Sequence, residues 1–224
     1  MINRTQSEKL ILCHYDDNYN DSSNHIYMNN ITHKLEARNN VAVPWVDKYR
    51  PAKLDDVIYQ TEVIDILRNT VKSGILSHLL LHGPPGTGKT STILALGRQL
   101  FGSRYRERVI ELNASDERGI NIVRNKIVTF AKTAVDKSNM DVPPYKIIIL
   151  DEADAMTTEA QSALRKVMEE FSEVTRFCFI CNYPNQIIEP IASRCMKFRF
   201  KPIIMSDMTR KLSNIAKLEQ LPIS

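Results

Sequence analysis

The chain has 224 residues, 43% of them hydrophobic and 25% charged, with a formal net charge of +4. That balance is the ordinary one for a globular protein, and the charge is too modest to identify a nucleic-acid or membrane partner by itself. No apolar run approaches the ~20 residues that span a bilayer, no signal-peptide pattern opens the sequence, and four cysteines in this length read as reduced thiols of a cytosolic or nuclear protein.

Residues 1–42, centred on YDDNYNDSSNHIYMNN, are rich in Asn, Asp and Ser and follow neither a helical nor a strand period. Such a segment buries too little apolar surface to offset its ordering entropy, so a disordered extension is expected here. His14, His25 and His33 lie in it with Cys13, at spacings that match no common metal pattern.

From Val43 the pattern changes. Short apolar runs at 78–82, 109–113, 146–150, 177–181 and 197–200 alternate with helical patterns near 61–73, 89–101, 118–134 and 158–171. This alternation predicts an α/β fold, with a five-stranded parallel sheet carrying helices on both faces over residues 43–203. The last stretch, 204–224, is helical in period.

The first strand runs into HGPPGTGKTS, which contains G-x-x-x-x-G-K-T between a strand and a helix, the context that a phosphate-binding loop requires. Gly83, Gly86 and Gly88 let backbone amides turn inward around phosphate, with Pro84, Pro85, Thr87 and Ser91 completing the candidate segment. Lys89 is placed to reach the β- and γ-phosphates of ATP, and Thr90 to put its hydroxyl on Mg²⁺. The third strand ends in LDEAD. Asp151 is the candidate for the metal shell, and Glu152 for the general base on an attacking water. An acidic turn that merely caps the next helix accounts for Asp154 but not for the paired carboxylates at the strand tip.

GPPGTGKT with LDEAD resembles the AAA+ ATPases. VPWVDKYRP (43–51), LNASDERGI (112–120) and IASRC (191–195) narrow the resemblance to the small subunits of the eukaryotic clamp loader, replication factor C, nearest its fourth-subunit type in human naming. It covers about 43–218. It implies an AAA+ core at 43–203 followed by the beginning of a helical lid at 204–224, truncated, with the family's collar domain absent from this sequence. It further implies that Val46 and Arg50 approach the base and phosphates, that Asn182 senses the γ-phosphate, and that Arg194 is an arginine finger serving a neighbouring subunit's site. The implied setting is nuclear DNA replication and repair. The implied partners are other subunits of a hetero-pentamer, a sliding clamp and primer–template DNA, with no membrane.

The segment 118–135 carries Arg118, Arg124, Lys126 and Lys132 and no acidic residue. Ile120, Val123, Ile127, Phe130 and Ala134 form an apolar stripe at helical spacing. The opposite face offers donors to DNA phosphates without base readout. From the residues alone, a solvated helix face explains it as well; the resemblance favours DNA. Arg165 and Lys166, on the next helix, read equally as DNA or subunit contacts or as i,i+4 partners of Glu169 and Glu170.

Two further functional classes fit parts of the pattern: a nucleotide-binding assembly subunit without turnover of its own, and another AAA+ DNA-processing ATPase. Finally, Cys178 and Cys181 stand as C-x-x-C, but within a strand, where residues three apart point to opposite faces. They are expected to be small core hydrophobes rather than metal ligands.

Overall fold

The computed structural model describes residues 44–115, 120–133, 135 and 142–221, without the side chains of 120–124. The expected extension at 1–42, with its histidines and Cys13, lies outside these residues, as do Arg118 and Ala134. The chain divides into two units, Met1–Lys48 and Tyr49–Ser224. In the first, the described residues make a single helical turn, α1 (Trp45–Lys48), closed by the Asp47 and Lys48 amides donating to the Pro44 carbonyl. None of its residues is buried.

The second unit follows the expected alternation. Its elements are α2 (Thr61–Ser73), β1 (Leu79–His82), α3 (Lys89–Phe101), α4 (Tyr105–Arg108), β2 (Val109–Asn113), α5 (Ile120–Lys132), β3 (Lys146–Asp151), α6 (Thr158–Glu170), β4 (Thr175–Cys181), α7 (Glu189–Ala192), β5 (Met196–Arg199) and α8 (Met205–Leu218). The five strands pair in parallel in the order β2-β3-β4-β1-β5. All the carboxyl ends therefore share one edge, the edge where open parallel sheets bind ligands.

Alternation along the strands divides the core into two layers. Leu79, Leu81, Ile147, Ile149, Cys178 and Ile180 join Ile64 and Leu67 of α2 and Ile93 and Leu96 of α3. Leu80, Ile148, Leu150, Phe177, Phe179 and Cys181 join Ile127 of α5 and Leu164 and Met168 of α6. With both faces covered, the central strands read as continuous apolar runs.

The helix ends are set locally. Gly74 follows α2 at φ 66, a left-handed turn that returns its amide to the Thr70 carbonyl. Thr157 precedes α6, and its hydroxyl accepts the Ala160 amide at 3.3 Å. The cap of α6 is therefore Thr157, not Asp154. At α5 the end is held from the sheet: Lys146 Nζ donates to the carbonyls of Phe130 and Thr133 and lies 4.9 Å from the Phe130 ring centre. By contrast, α8 has no buried residue. Met205, Leu212 and Leu218 on it are exposed.

Candidate nucleotide site

The loop between β1 and α3 rises from the carboxyl edge. Gly83, Gly86 and Gly88 all take positive φ, at 144, 73 and 91. At Gly83 a side chain is excluded twice, since a Cβ would also stand 2.4 Å from the Phe200 carbonyl oxygen. The Phe200 amide donates to the His82 carbonyl at 2.8 Å, so the loop's first residues are seated against the chain leaving β5.

Lys89 opens α3 yet is only 7% exposed. Its ammonium donates to Gly83 O at 2.7 Å, Pro84 O at 2.9 Å and Asn182 Oδ1 at 2.9 Å. An ammonium has three protons, and three acceptors meet it. Burial lowers its pKa, against the opposing pull of Asp151, Cys181 and Asp154. Next to it, Thr90 Oγ1 donates to Asp151 Oδ2 at 2.7 Å. The other Asp151 oxygen accepts the Glu152 amide at 2.9 Å. Glu152 itself is exposed and stands at φ 52, a left-handed conformation that a non-glycine residue adopts rarely and mostly at special sites.

Asp154 has a role that its place in the sequence did not reveal. Its Oδ2 accepts the amides of Asn182 and Tyr183, both at 3.0 Å, and so fastens the loop after β3 to the tip of β4. Asn182 is thereby held from both ends, its backbone by Asp154 and its side chain by Lys89. Asn113 is another residue that the pattern did not single out. It pairs in register with Asp151, and its Oδ1 accepts the amide and hydroxyl of Ser115 at 2.9 and 2.8 Å. An Asn at a strand tip, as at 182, was the available signal. Among the described residues no three His, Cys, Asp or Glu side chains gather as a metal cage. Thr90 and Asp151, with their oxygens in contact, are a donor pair of the hard type that suits a hydrated divalent cation held mainly by phosphate.

The fold thus brings Lys89, Thr90, Asp151, Glu152 and Asn182 to one edge of the sheet. Arg50 is half-buried; burial raises the pKa values of Glu111 on β2 and Tyr105 on α4, and the charge of Arg50 opposes the rise in both. Val46 belongs to the first unit and is exposed. Arg194 is not part of this cluster. Its guanidinium donates to Pro190 O at 2.7 Å and to Glu169 Oε1 at 2.8 Å, and Arg165 reaches the same carboxylate oxygen at 3.6 Å. On α5, Ile127 of the expected stripe is buried and Phe130 half-buried, Ala131 from outside the stripe is buried as well, and Asn125, Lys126, Thr129 and Lys132 are exposed. The side chain of Arg124 is among those not described.

Residues 79–203 match the model of the ATPase family associated with various cellular activities (AAA). The chain belongs to this family. It is also 55% identical over 186 residues to human Replication factor C subunit 4, an alignment covering 81% of this chain and 51% of that protein. Against Replication factor C subunit 2 of Saccharomyces cerevisiae the identity is 54% over 196 residues, covering 84% and 56%. The chain spans about half the length of these curated relatives. Among solved structures, the RuvB Holliday junction branch migration motor of Thermotoga maritima superposes with a TM-score of 0.60 at 17% identity, over 79% of this chain and 56% of that one. At that identity the likeness concerns the fold alone. No described helix is long and apolar enough to cross a membrane.

Proposed function

We propose that this AAA chain is an ATP-binding and ATP-hydrolysing subunit of a replication factor C clamp loader, acting in the nucleus with other subunits of a hetero-pentamer, a sliding clamp and primer–template DNA. The observation that carries this reading is the 55% identity to a named Replication factor C subunit over 81% of this chain, beside the Lys89–Thr90–Asp151–Asn182 cluster.

Each residue has a chemical task. The loop amides from Gly86 to Thr90 bind phosphate oxygens, and Lys89, exchanging a carbonyl acceptor for phosphate oxygen, neutralises charge on the β- and γ-phosphates. Thr90 and Asp151 would hold Mg²⁺, which would supply positive charge against the phosphates. Asn182, a neutral donor and acceptor fixed by Asp154, orients the attacking water, and Glu152 accepts its proton. Arg194 acts in trans, stabilising transition-state charge at the neighbouring subunit's nucleotide. Because Glu169 and Pro190 already hold its guanidinium, the arm is prearranged at the surface. The exposed Lys126 and Lys132 of α5, together with Arg124 and Arg118, contact DNA phosphates.

The test is ATP turnover by this chain reconstituted with its partner subunits, the clamp and primed DNA. Glu152→Gln should lower the turnover assigned to this site by roughly 10²–10⁴-fold while ATP still binds. Unchanged turnover in the assembly would remove the catalytic assignment. Absence of the chain from the assembled loader would remove the clamp-loader assignment itself.

A further inference from the structure

Gln60 is a polar side chain that the nucleotide chemistry does not use, yet it is 4% exposed. It sits at the N-cap position of α2, where its carbonyl accepts the Ile64 amide at 2.9 Å. Its side chain makes no cap hydrogen bond and reaches instead across the molecule. Nε2 donates to Lys201 O at 2.7 Å, and Oε1 accepts the Lys201 amide at 3.2 Å. The carboxamide therefore pairs with the backbone of Lys201 as a strand would. The same Nε2 approaches the carbonyl of Thr87, in the middle of the phosphate loop, at 3.5 Å. One buried amide thus touches the loop and the chain leaving β5.

The segment beyond Lys201 extends the reach of this contact. Pro202 comes next and restricts Lys201 to extended conformations, so the link towards α8 is stiff. Since α8 buries no residue of its own, core packing does not fix its place. Polar ties at its two ends remain: Lys201 through Gln60 before it, and Glu219 after it, whose carboxylate accepts the Tyr49 hydroxyl. A second contact beside the first, the Gly83 backbone against Phe200, holds the loop's entry to the same strand exit.

We propose that Gln60 is a positioning residue that couples the phosphate loop at Thr87 to the chain leaving β5, so that nucleotide in the loop and the placement of α8 influence each other. The coupling rests on the nucleotide site described above. Phosphate that draws the 84–88 backbone inward loads the Thr87 carbonyl, and Gln60 passes the displacement to Lys201 and the stiff segment behind it. The direction is reciprocal, as linkage requires: whatever holds α8 in place steadies the loop and tightens nucleotide.

The experiment uses the full chain and two variants. Gln60→Met keeps the packing volume and loses every side-chain hydrogen bond. Gln60→Glu keeps the acceptor for the Lys201 amide and loses the donor to both carbonyls. Without nucleotide, Gln60→Met should speed hydrogen exchange of the Lys201 amide and of the 84–90 loop together by roughly tenfold, the loss of about one buried hydrogen bond at each. Gln60→Glu should loosen Lys201 and the loop together, because an oxygen then faces the carbonyls of both. With ATP, the wild type should show protection spreading into 205–218. Gln60→Met should abolish that spread and raise the ATP dissociation constant roughly fivefold. Faster exchange confined to Lys201, with loop and affinity unchanged, would overturn the coupling. So would a uniform rise across the sheet in both variants, which marks Gln60 as a plain structural residue. If the wild type binds no ATP, the nucleotide reading falls, and the nucleotide-free exchange still judges whether Gln60 ties loop to strand.

Discussion

Lys89, after the carboxyl end of β1, and Arg194, before the amino end of β5, are both cations assigned to nucleotide, and they are built in opposite ways. Lys89 is 7% exposed and enclosed by three acceptors from two different strand-tip loops. The Arg194 side chain is 43% exposed and leans on the equally exposed Glu169 of α6. A buried ammonium is costly to carry away from its pocket, so the first stays at this chain's own loop. A surface ion pair contributes about 0–1 kcal/mol, so the second can be exchanged for a better partner. The contrast matches the tasks proposed for them, one serving the chain's own nucleotide and the other a neighbour's.

The comparison can be broken most sharply at Arg194. Arg194→Ala should lower hydrolysis at the adjoining site by roughly 10³-fold, measured as turnover of the reconstituted loader, with ATP binding to this chain unaltered. Loss of binding here would make Arg194 a residue of its own site and end the contrast. Lys89→Met should raise the ATP dissociation constant roughly a hundredfold, read by calorimetry on the full chain, because charge-assisted contacts to phosphate disappear.

A pH titration extends the comparison to a third basic side chain, at the amino end of β1. His78, just before β1, accepts the Phe177 amide through Nδ1 at 3.1 Å, and its pKa is lowered to about 4 by burial and then by Arg176. The unfolded chain, at the ordinary 6.5, takes up the proton first. Stability from this group is thus complete above pH 6.5 and declines as pH falls towards 4. The loss is on the order of 2 kcal/mol once partial exposure is allowed for. Denaturant midpoints should show it in the wild type and not in His78→Asn. The smallest effect belongs to Glu169→Gln, which should change unfolding free energy by less than about 1 kcal/mol. A larger change would mean that Arg194 is anchored as firmly as Lys89.

The sequence made some of this legible and hid the rest for definable reasons. The apolar runs located β1, β3 and β4 because strands covered on both faces are continuously apolar, and located the edge strands β2 and β5 by shorter runs with polar residues among them. The phosphate loop and the carboxylates after β3 were equally plain, being contiguous motifs whose chemistry fixes their spacing. What escaped was contact between distant segments. Asp154 looks like a helix cap and instead holds the tip of β4, 28 residues on. Gln60 meets Lys201 across 141 residues, and no local pattern encodes that. The strand order was unreadable for the same reason, since the path from one strand to the next is set by packing across the sheet.

The alternating faces of β4 have one more consequence. Cys178 lies in the layer under α2 and α3, and Cys181 in the layer under α5 and α6. Burial pushes the Cys178 thiol well above its usual range and the Cys181 thiol up to about 12, so neither is a thiolate at neutral pH. An alkylating reagent will find them only when the molecule opens. Three residues apart in the chain and on opposite sides of the sheet, they form a pair of internal reporters. The order in which they react tells which layer of helices lifts first.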